Sequence, residues 1–297
     1  MTDPPPPVHD RRRPRGPAAD PGPARPSTEV DRVRAPFGSR AVTVVAVDRH
    51  GAYTVLRCAD PAGPRPRAGQ FYMLAATRRW GAGAGERPFL PRAFSVLRAP
   101  AGGDELQFLI EDVGPGTRRL CELGPGEELS LVGPLGIGFA VPREGRRAIL
   151  AGGGVGIAPL AIWQDQLAAP ATVLLGFRDR AHAPGAQLLD GARVATDDGS
   201  AGHHGRVTEL LADELAGDGR AEVYACGPPP MLEAVRALCA QRDVPAQLAL
   251  ESGMACGFGA CFGCVVPTRD GYVRVCVDGP VIDAGRLETA LTPGAGH

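Results

Sequence analysis

The chain has no apolar run long enough to cross a bilayer: its glycine-free apolar stretches are strand-sized, whereas a spanning helix takes about 20 apolar residues. Membrane insertion is therefore not expected. Near Met1 there is no hydrophobic signal core, which leads us to expect a cytoplasmic protein whose thiols stay reduced. A net charge of -1 over 297 residues leaves no basic footprint for nucleic acid. No internal repeat is present, which argues against a solenoid or propeller. The one basic cluster, Arg11-Arg12-Arg13-Pro14-Arg15, lies in a proline- and arginine-rich stretch with little to bury, so residues 1–36 are expected to be a disordered tail.

What is present is concentrated in cysteine and glycine. Cys256, Cys261, Cys264 and Cys276 follow the pattern C-x4-C-x2-C-x11-C. Three thiolates on one loop and a fourth from a following hairpin can hold a 2Fe-2S cluster, in which each iron takes two protein sulfurs. Gly253, Gly257, Gly259 and Gly263 let the backbone wrap closely and turn amide N–H groups toward the sulfurs. A structural zinc site also uses four cysteines, but zinc ribbons usually show two C-x2-C pairs, and here there is one, preceded by a C-x4 step. The spacing favours iron, and one-electron chemistry with it. Cys58, Cys121 and Cys239 read as buried core cysteines.

The rest of the chain divides by texture. From Ala41 to about Pro142, short strands (AVTVVAV, YTVLRCA, GQFYMLA, RAFSVLRA, ELQFLIED, EELSLVG) alternate with glycine and proline turns, the pattern of a small antiparallel β-barrel. After Arg146, buried strands alternate with helical stretches, which predicts a doubly wound parallel sheet. The expected division is tail 1–36, barrel 37–143, nucleotide-binding α/β domain 144–246 and cluster module 247–297.

Two regions carry binding chemistry. Arg92-Ala93-Phe94-Ser95 lies on a barrel strand and Gly114-Pro115-Gly116-Thr117 follows one strand later. In one crevice they offer an arginine for a pyrophosphate, a hydroxyl for flavin N5 and turn amides for phosphate; the alternative is a surface arginine and an ordinary turn. The run Gly152-Gly153-Gly154-Val155-Gly156-Ile157-Ala158-Pro159 joins a buried strand to a helix N-terminus, where amides and the helix dipole favour a nucleotide pyrophosphate. It is not the G-x-G-x-x-G fingerprint. Cys226-Gly227-Pro228 closes a later strand at the sheet edge where open α/β folds bind ligands.

Together, R-x-F-S, G-G-G-x-G-x-A-P and C-G-P-x-x-M resemble the ferredoxin-NADP reductase superfamily. That resemblance implies that Arg92, Ala93, Phe94 and Ser95 contact FAD, with Ser95 near N5, and that Gly116 and Thr117 hold its pyrophosphate. It puts Leu109, Ile110 and Glu111 on the strand beside the flavin, where some relatives carry a basic residue near Glu111. It implies a nicotinamide dinucleotide at Gly152, Gly153, Gly154 and Gly156, its ring near Cys226, Gly227 and Pro228. Ser95 and Cys226 are thus the residues nearest the reacting atoms. The dinucleotide is NAD or NADP: Asp179 stands between Arg178 and Arg180, and relatives with T-D-D-G-S, here Thr196 to Ser200, commonly use NAD.

The order barrel, nucleotide domain, cluster loop, with M-A-C-G-F-G-A-C-F-G-C, is similar to electron-transfer subunits of NAD-dependent dihydroorotate dehydrogenases. This implies an FMN-containing catalytic subunit as partner in a hetero-oligomer, with Phe258 and Phe262 shielding the cluster or touching that partner. Diaphorase-type subunits of hydrogenases and of ferredoxin:NADP transhydrogenases share the parts, and a zinc-stabilised binding module is the non-enzyme alternative.

Overall fold

The computed structural model describes residues 39–81, 88–100, 102, 104–217 and 219–292. The sequence-expected tail lies outside them. Six strands, β1 (Arg40–His50), β2 (Tyr53–Ala59), β3 (Phe71–Ala76), β4 (Arg92–Arg98), β5 (Glu105–Glu111) and β6 (Glu128–Leu135), close a barrel in the order β1-β2-β5-β4-β3-β6. All pairs are antiparallel, so alternate residues face inward: Val42 and Val44 of β1 are buried between exposed neighbours. Helix α1 (Pro115–Cys121) lies between β5 and β6. What reads in sequence as a glycine-threonine turn is its first turn: the Thr117 hydroxyl accepts from Val113 N at 2.9 Å and Gly114 N at 3.0 Å, amides that a helix start leaves without intrahelical partners.

The second layer is a parallel sheet. Strands β7 (Arg147–Gly153), β8 (Thr172–Phe177), β9 (Arg193–Thr196), β10 (His203–His204), β11 (Ala221–Cys226) and β12 (Ala246–Ala249) run in the order β10-β9-β8-β7-β11-β12. Helices α2 (Ala158–Gln166), α3 (Val207–Glu214) and α4 (Pro229–Gln241) supply crossovers. With both faces covered, the strands read as continuous apolar runs, and β11 is buried along its whole length. Leu150, Leu175 and Tyr224 pack with α2 and the barrel; Ile149, Ala151, Leu174 and Val223 pack with α3, α4 and the cysteine module.

The C-terminal segment forms hairpin β13 (Val265–Thr268) and β14 (Gly271–Arg274), the single turn α5 (Val275–Asp278), and β15 (Val281–Asp283). Strand β15 pairs antiparallel with β12 and becomes the sheet's seventh strand. The link from barrel to sheet is stitched down by buried polar groups. The Gln247 amide accepts from Ala140 N at 2.8 Å and donates to its oxygen at 3.1 Å, and the buried Glu222 carboxylate accepts from Arg143 N at 2.8 Å. Across the same seam Ala52 N donates to Ala181 O at 2.7 Å, and Arg98 Nη2 donates to Leu188 O at 2.7 Å. Among the described residues no helix is long and apolar enough to cross a membrane.

Candidate redox site

A cavity of about 570 Å³ opens where barrel, sheet and cysteine module meet, within the ~300–1,000 Å³ common for small-molecule sites. Arg92, Ala93, Phe94 and Ser95 of β4 line one wall, with Leu109 and Glu111 of β5 and Gly116 and Thr117 of α1. Gly156 and Cys226 form the facing wall. Ile110, the other residue read on β5, points away into the barrel core, because strand side chains alternate and its neighbours already face the cavity. Gly152, Gly153, Gly154, Gly227 and Pro228 do not line the cavity either.

The Arg92 guanidinium is aimed by two contacts: Nη1 donates to Leu90 O at 2.6 Å and the group lies 6.0 Å from the Trp80 ring centroid; Gly116 leaves it room, since a Cβ there would sit 2.9 Å from Arg92 Nε. A positive group is thus held against a helix start, a combination suited to phosphate. At the sheet edge, a Cβ on Gly156 would lie 2.5 Å from Cys226 O and Gly227 N, so only glycine lets the turn after β7 pack on the end of β11. The Cys226 thiol is pushed well above its ordinary value by burial, with a further push from the Glu251 charge, and so stays protonated at neutral pH.

The third wall is one that the sequence reading missed: Ala249, Leu250, Glu251, Ser252, Gly253 and Met254. Burial raises the Glu251 carboxyl, whose oxygens have no hydrogen-bond partner among the described residues. The available signal was positional, since Glu251 follows β12, the strand beside β11, at the same sheet edge.

This segment runs directly into the cysteine loop. The Cys256 thiol, although raised by burial, is brought down to about 6 by the amides of Cys261, Phe258 and Ala260 and by the Cys261 thiol. Such a ring of donors fits sulfur that carries negative charge. The Cys264 sulfur accepts from Cys276 N at 3.4 Å, and the Cys276 thiol interacts with those of Cys264 and Cys256. Cys261, the exposed member, accepts from Gly263 N at 3.4 Å. Among the described residues no three His, Cys, Asp or Glu side chains converge as they would on one metal ion. Gly257, at φ +79°, tucks against Met73 of the barrel, where a Cβ would lie 2.5 Å from the side chain. The loop therefore rests on the strand whose first residue, Phe71, lines the cavity.

Barrel, open parallel sheet and the cavity between them define a ferredoxin-reductase-like fold. The solved NADH-dependent reduced ferredoxin-NADP oxidoreductase overlays with a TM-score of 0.71 at 23% identity, covering 85% of this chain and 91% of that one. The ferredoxin NADP+ reductase of Neisseria gonorrhoeae, with bound FAD and NADP, gives 0.54 at 19% identity, over 69% and 91%. Residues 181–237 match the oxidoreductase NAD-binding domain, and residues 251–288 match the iron-sulfur cluster binding domain of dihydroorotate dehydrogenase B.

The electron transfer subunit of dihydroorotate dehydrogenase B (NAD(+)) from Caldanaerobacter subterraneus subsp. tengcongensis is 37% identical over 225 residues, 74% of this chain and 86% of that protein. The corresponding subunit from Bacillus caldolyticus is 39% identical over 212 residues, 67% and 80%. The chain belongs to this family of electron transfer subunits, oxidoreductase components that work with a catalytic partner subunit.

Proposed function

We propose that the chain carries electrons between an FMN-containing dihydroorotate dehydrogenase subunit and NAD in the cytoplasm, within a hetero-oligomer serving pyrimidine biosynthesis. One observation carries the reading: barrel, sheet edge and the segment leading into the four cysteines are three walls of one cavity. FAD there, NAD beside it and a 2Fe-2S cluster at the cysteines would supply hydride transfer on one side and single-electron transfer on the other.

In this reading residues 37–143 form the FAD domain, 144–246 the nucleotide domain and 247–297 the cluster module. Arg92, Gly116 and Thr117 hold the flavin pyrophosphate, and Ala93, Phe94, Leu109, Ile110 and Glu111 lie along the flavin strands. Gly152, Gly153, Gly154 and Gly156 set the dinucleotide turn. Cys226, with Gly227 and Pro228, closes the nicotinamide side, where its protonated thiol adds bulk without charge. Ser95 offers a hydroxyl opposite Cys226, and Glu251 a carboxyl that can hold a proton beside them. Cys256, Cys261, Cys264 and Cys276 ligate the cluster.

Exposed apolar groups support a partner surface at the cluster. Phe258 is 43%, Phe262 64% and Tyr272 80% exposed, and Arg274 lies 5.6 Å from the Phe262 ring centroid. Large apolar groups gathered on one surface are typical of an interface. The test is anaerobic purification from native cells with flavin, iron and acid-labile sulfide analysis and mass spectrometry of what copurifies. FAD, two irons per chain and an FMN-containing dihydroorotate dehydrogenase are expected. A colourless, zinc-loaded chain would overturn the reading, and a hydrogenase or a second pyridine-nucleotide reductase as partner would move it to a diaphorase.

A further inference from the structure

The hairpin that leads to the fourth cysteine also carries a charge. Arg274 ends β14, two residues before Cys276. Its backbone is fixed there: it pairs with Val265 of β13, Arg274 N donates to Asp278 Oδ2 at 2.9 Å, and the next amide, Val275 N, donates to Cys264 O at 3.0 Å. The side chain lies back over the cysteine loop, with Nη1 3.5 Å from Gly259 O, the guanidinium 5.6 Å from the Phe262 ring centroid, and Nε 3.5 Å from Asp278 Oδ2. A Cβ on Gly259, at φ +89°, would sit 3.2 Å from that Nη1 and 2.7 Å from the Val277 side chain, so glycine leaves the arginine its place. Phe262 takes φ +56°, a left-handed backbone that a bulky residue rarely adopts, and its ring covers the guanidinium from another side.

Gly259 joins this charge to the thiols. Its own N–H is turned toward the Cys276 sulfur, and its carbonyl faces Arg274. The N–H of the same peptide unit, that of Ala260, is among the amides turned toward the Cys256 sulfur. A guanidinium at the oxygen polarises the peptide and strengthens what its N–H offers the sulfur. Arginine keeps its charge throughout the working pH range. Among the described residues the carboxylate within ion-pair distance of it is Asp278. The hairpin's other charges, Arg269 and Asp270, sit at its far turn, where Arg286 pairs with Asp270 at 3.6 Å. An electron added to a cluster held by four thiolates leaves it one charge more negative, and the potentials of such clusters follow net charge and hydrogen bonds to sulfur.

We propose that Arg274 sets the reduction potential of the cluster at Cys256, Cys261, Cys264 and Cys276: by its own field and through the Gly259–Ala260 peptide it favours the reduced, more negative form, and Asp278 moderates it. The inference rests on reading those four cysteines as a 2Fe-2S site. The electron concerned is the one exchanged with the flavin or the partner subunit, and no proton moves with it. The Arg274 side chain is 36% exposed, so water screens part of its charge and the effect is a modest tuning.

The test uses the full chain, loaded with FAD and iron and held with its partner subunit. A potentiometric titration reads the reduced cluster by electron paramagnetic resonance and the flavin by absorbance. Arg274→Gln should lower the cluster midpoint by roughly three- to tenfold in the one-electron equilibrium constant, about 28–59 mV, and Arg274→Lys by less. Asp278→Asn, which keeps an oxygen for Arg274 N, should raise the midpoint, and adding it to Arg274→Gln should bring the value back toward native. The flavin midpoint should stay put in every variant. A cluster midpoint that does not move, or that moves together with the flavin's, would overturn the proposal. So would iron lost from Arg274→Gln with the native midpoint in the clusters that remain, because the arginine would then be a clasp on the loop. If Arg274→Gln holds no iron at all, Asp278→Asn decides: an upward shift supports the proposal, and none or a downward one overturns it. A native chain that takes up no iron would instead remove the 2Fe-2S reading, and this inference with it.

Discussion

At the scale of single residues, the site rests on a few side chains whose surroundings fix their charge. Arg92 is aimed at the α1 start, so in the proposed flavin site its loss would remove charge-assisted bonds to a phosphate and leave the barrel intact. Arg92→Ala is expected to raise the FAD dissociation constant by roughly 10- to 100-fold, read as flavin retained per chain after gel filtration. Full retention would remove the phosphate role. Glu251 offers a second test. With its carboxyl raised by burial, it ionises at a higher pH than an ordinary glutamate. The kcat for NADH oxidation by a dye should therefore carry a titration above the usual carboxylate range, and Glu251→Gln should flatten that part of the profile. An unchanged profile would leave Glu251 as a wall residue only.

At the scale of elements, α4 anchors the C-terminal segment. The Glu233 carboxylate pairs with Arg236 through two hydrogen bonds of 3.0 and 2.6 Å and accepts from Ala290 N at 2.6 Å and the Thr289 hydroxyl at 3.0 Å. The Arg236 bond leads in holding the carboxyl down to about 2. A carboxyl depressed in the folded state stabilises above its unfolded value and loses that contribution as pH falls from about 5 toward 2. Discounted for solvent, the contribution is about 1–2 kcal/mol. Glu233→Gln should lower Tm at pH 7 and converge with native protein only near pH 2; a constant gap would assign the loss to packing. These elements also show what a sequence discloses. The barrel strands and the alternation through β7, β8, β9, β11 and β12 were legible because burial on one face or both leaves period-two or continuous apolar runs, a pattern the exposed pair His203–His204 of β10 lacks. Strand β15 was not, since three residues carry too little pattern to announce an antiparallel partner on a parallel sheet. The four cysteines and Arg92 to Ser95 stood out because each is compact in sequence. The wall at Glu251 and the contact of Arg274 with Gly259 did not, because each depends on which segments meet in space.

At the scale of the whole molecule, the two cores share the sheet between them, and the cysteine loop rests on the barrel beside the cavity. The proposed flavin site and the proposed cluster site are therefore neighbours built on separate supports: β4, β5 and α1 for one, the loop and hairpin for the other. Damage to Cys261, the exposed member of the proposed ligand set, should stay on its own side of the boundary. Cys261→Ser is expected to lower iron and acid-labile sulfide and to abolish electron passage to or from the catalytic subunit. FAD content and NADH-to-dye activity should stay near the native level, because a dye can take electrons at the cavity without the cluster. Flavin and iron assays with the two activities, measured on one preparation, separate the cases. If FAD left with the iron, the loop would have to be a structural wall of the flavin site, and the contact of Gly257 with Met73 would be where that dependence enters.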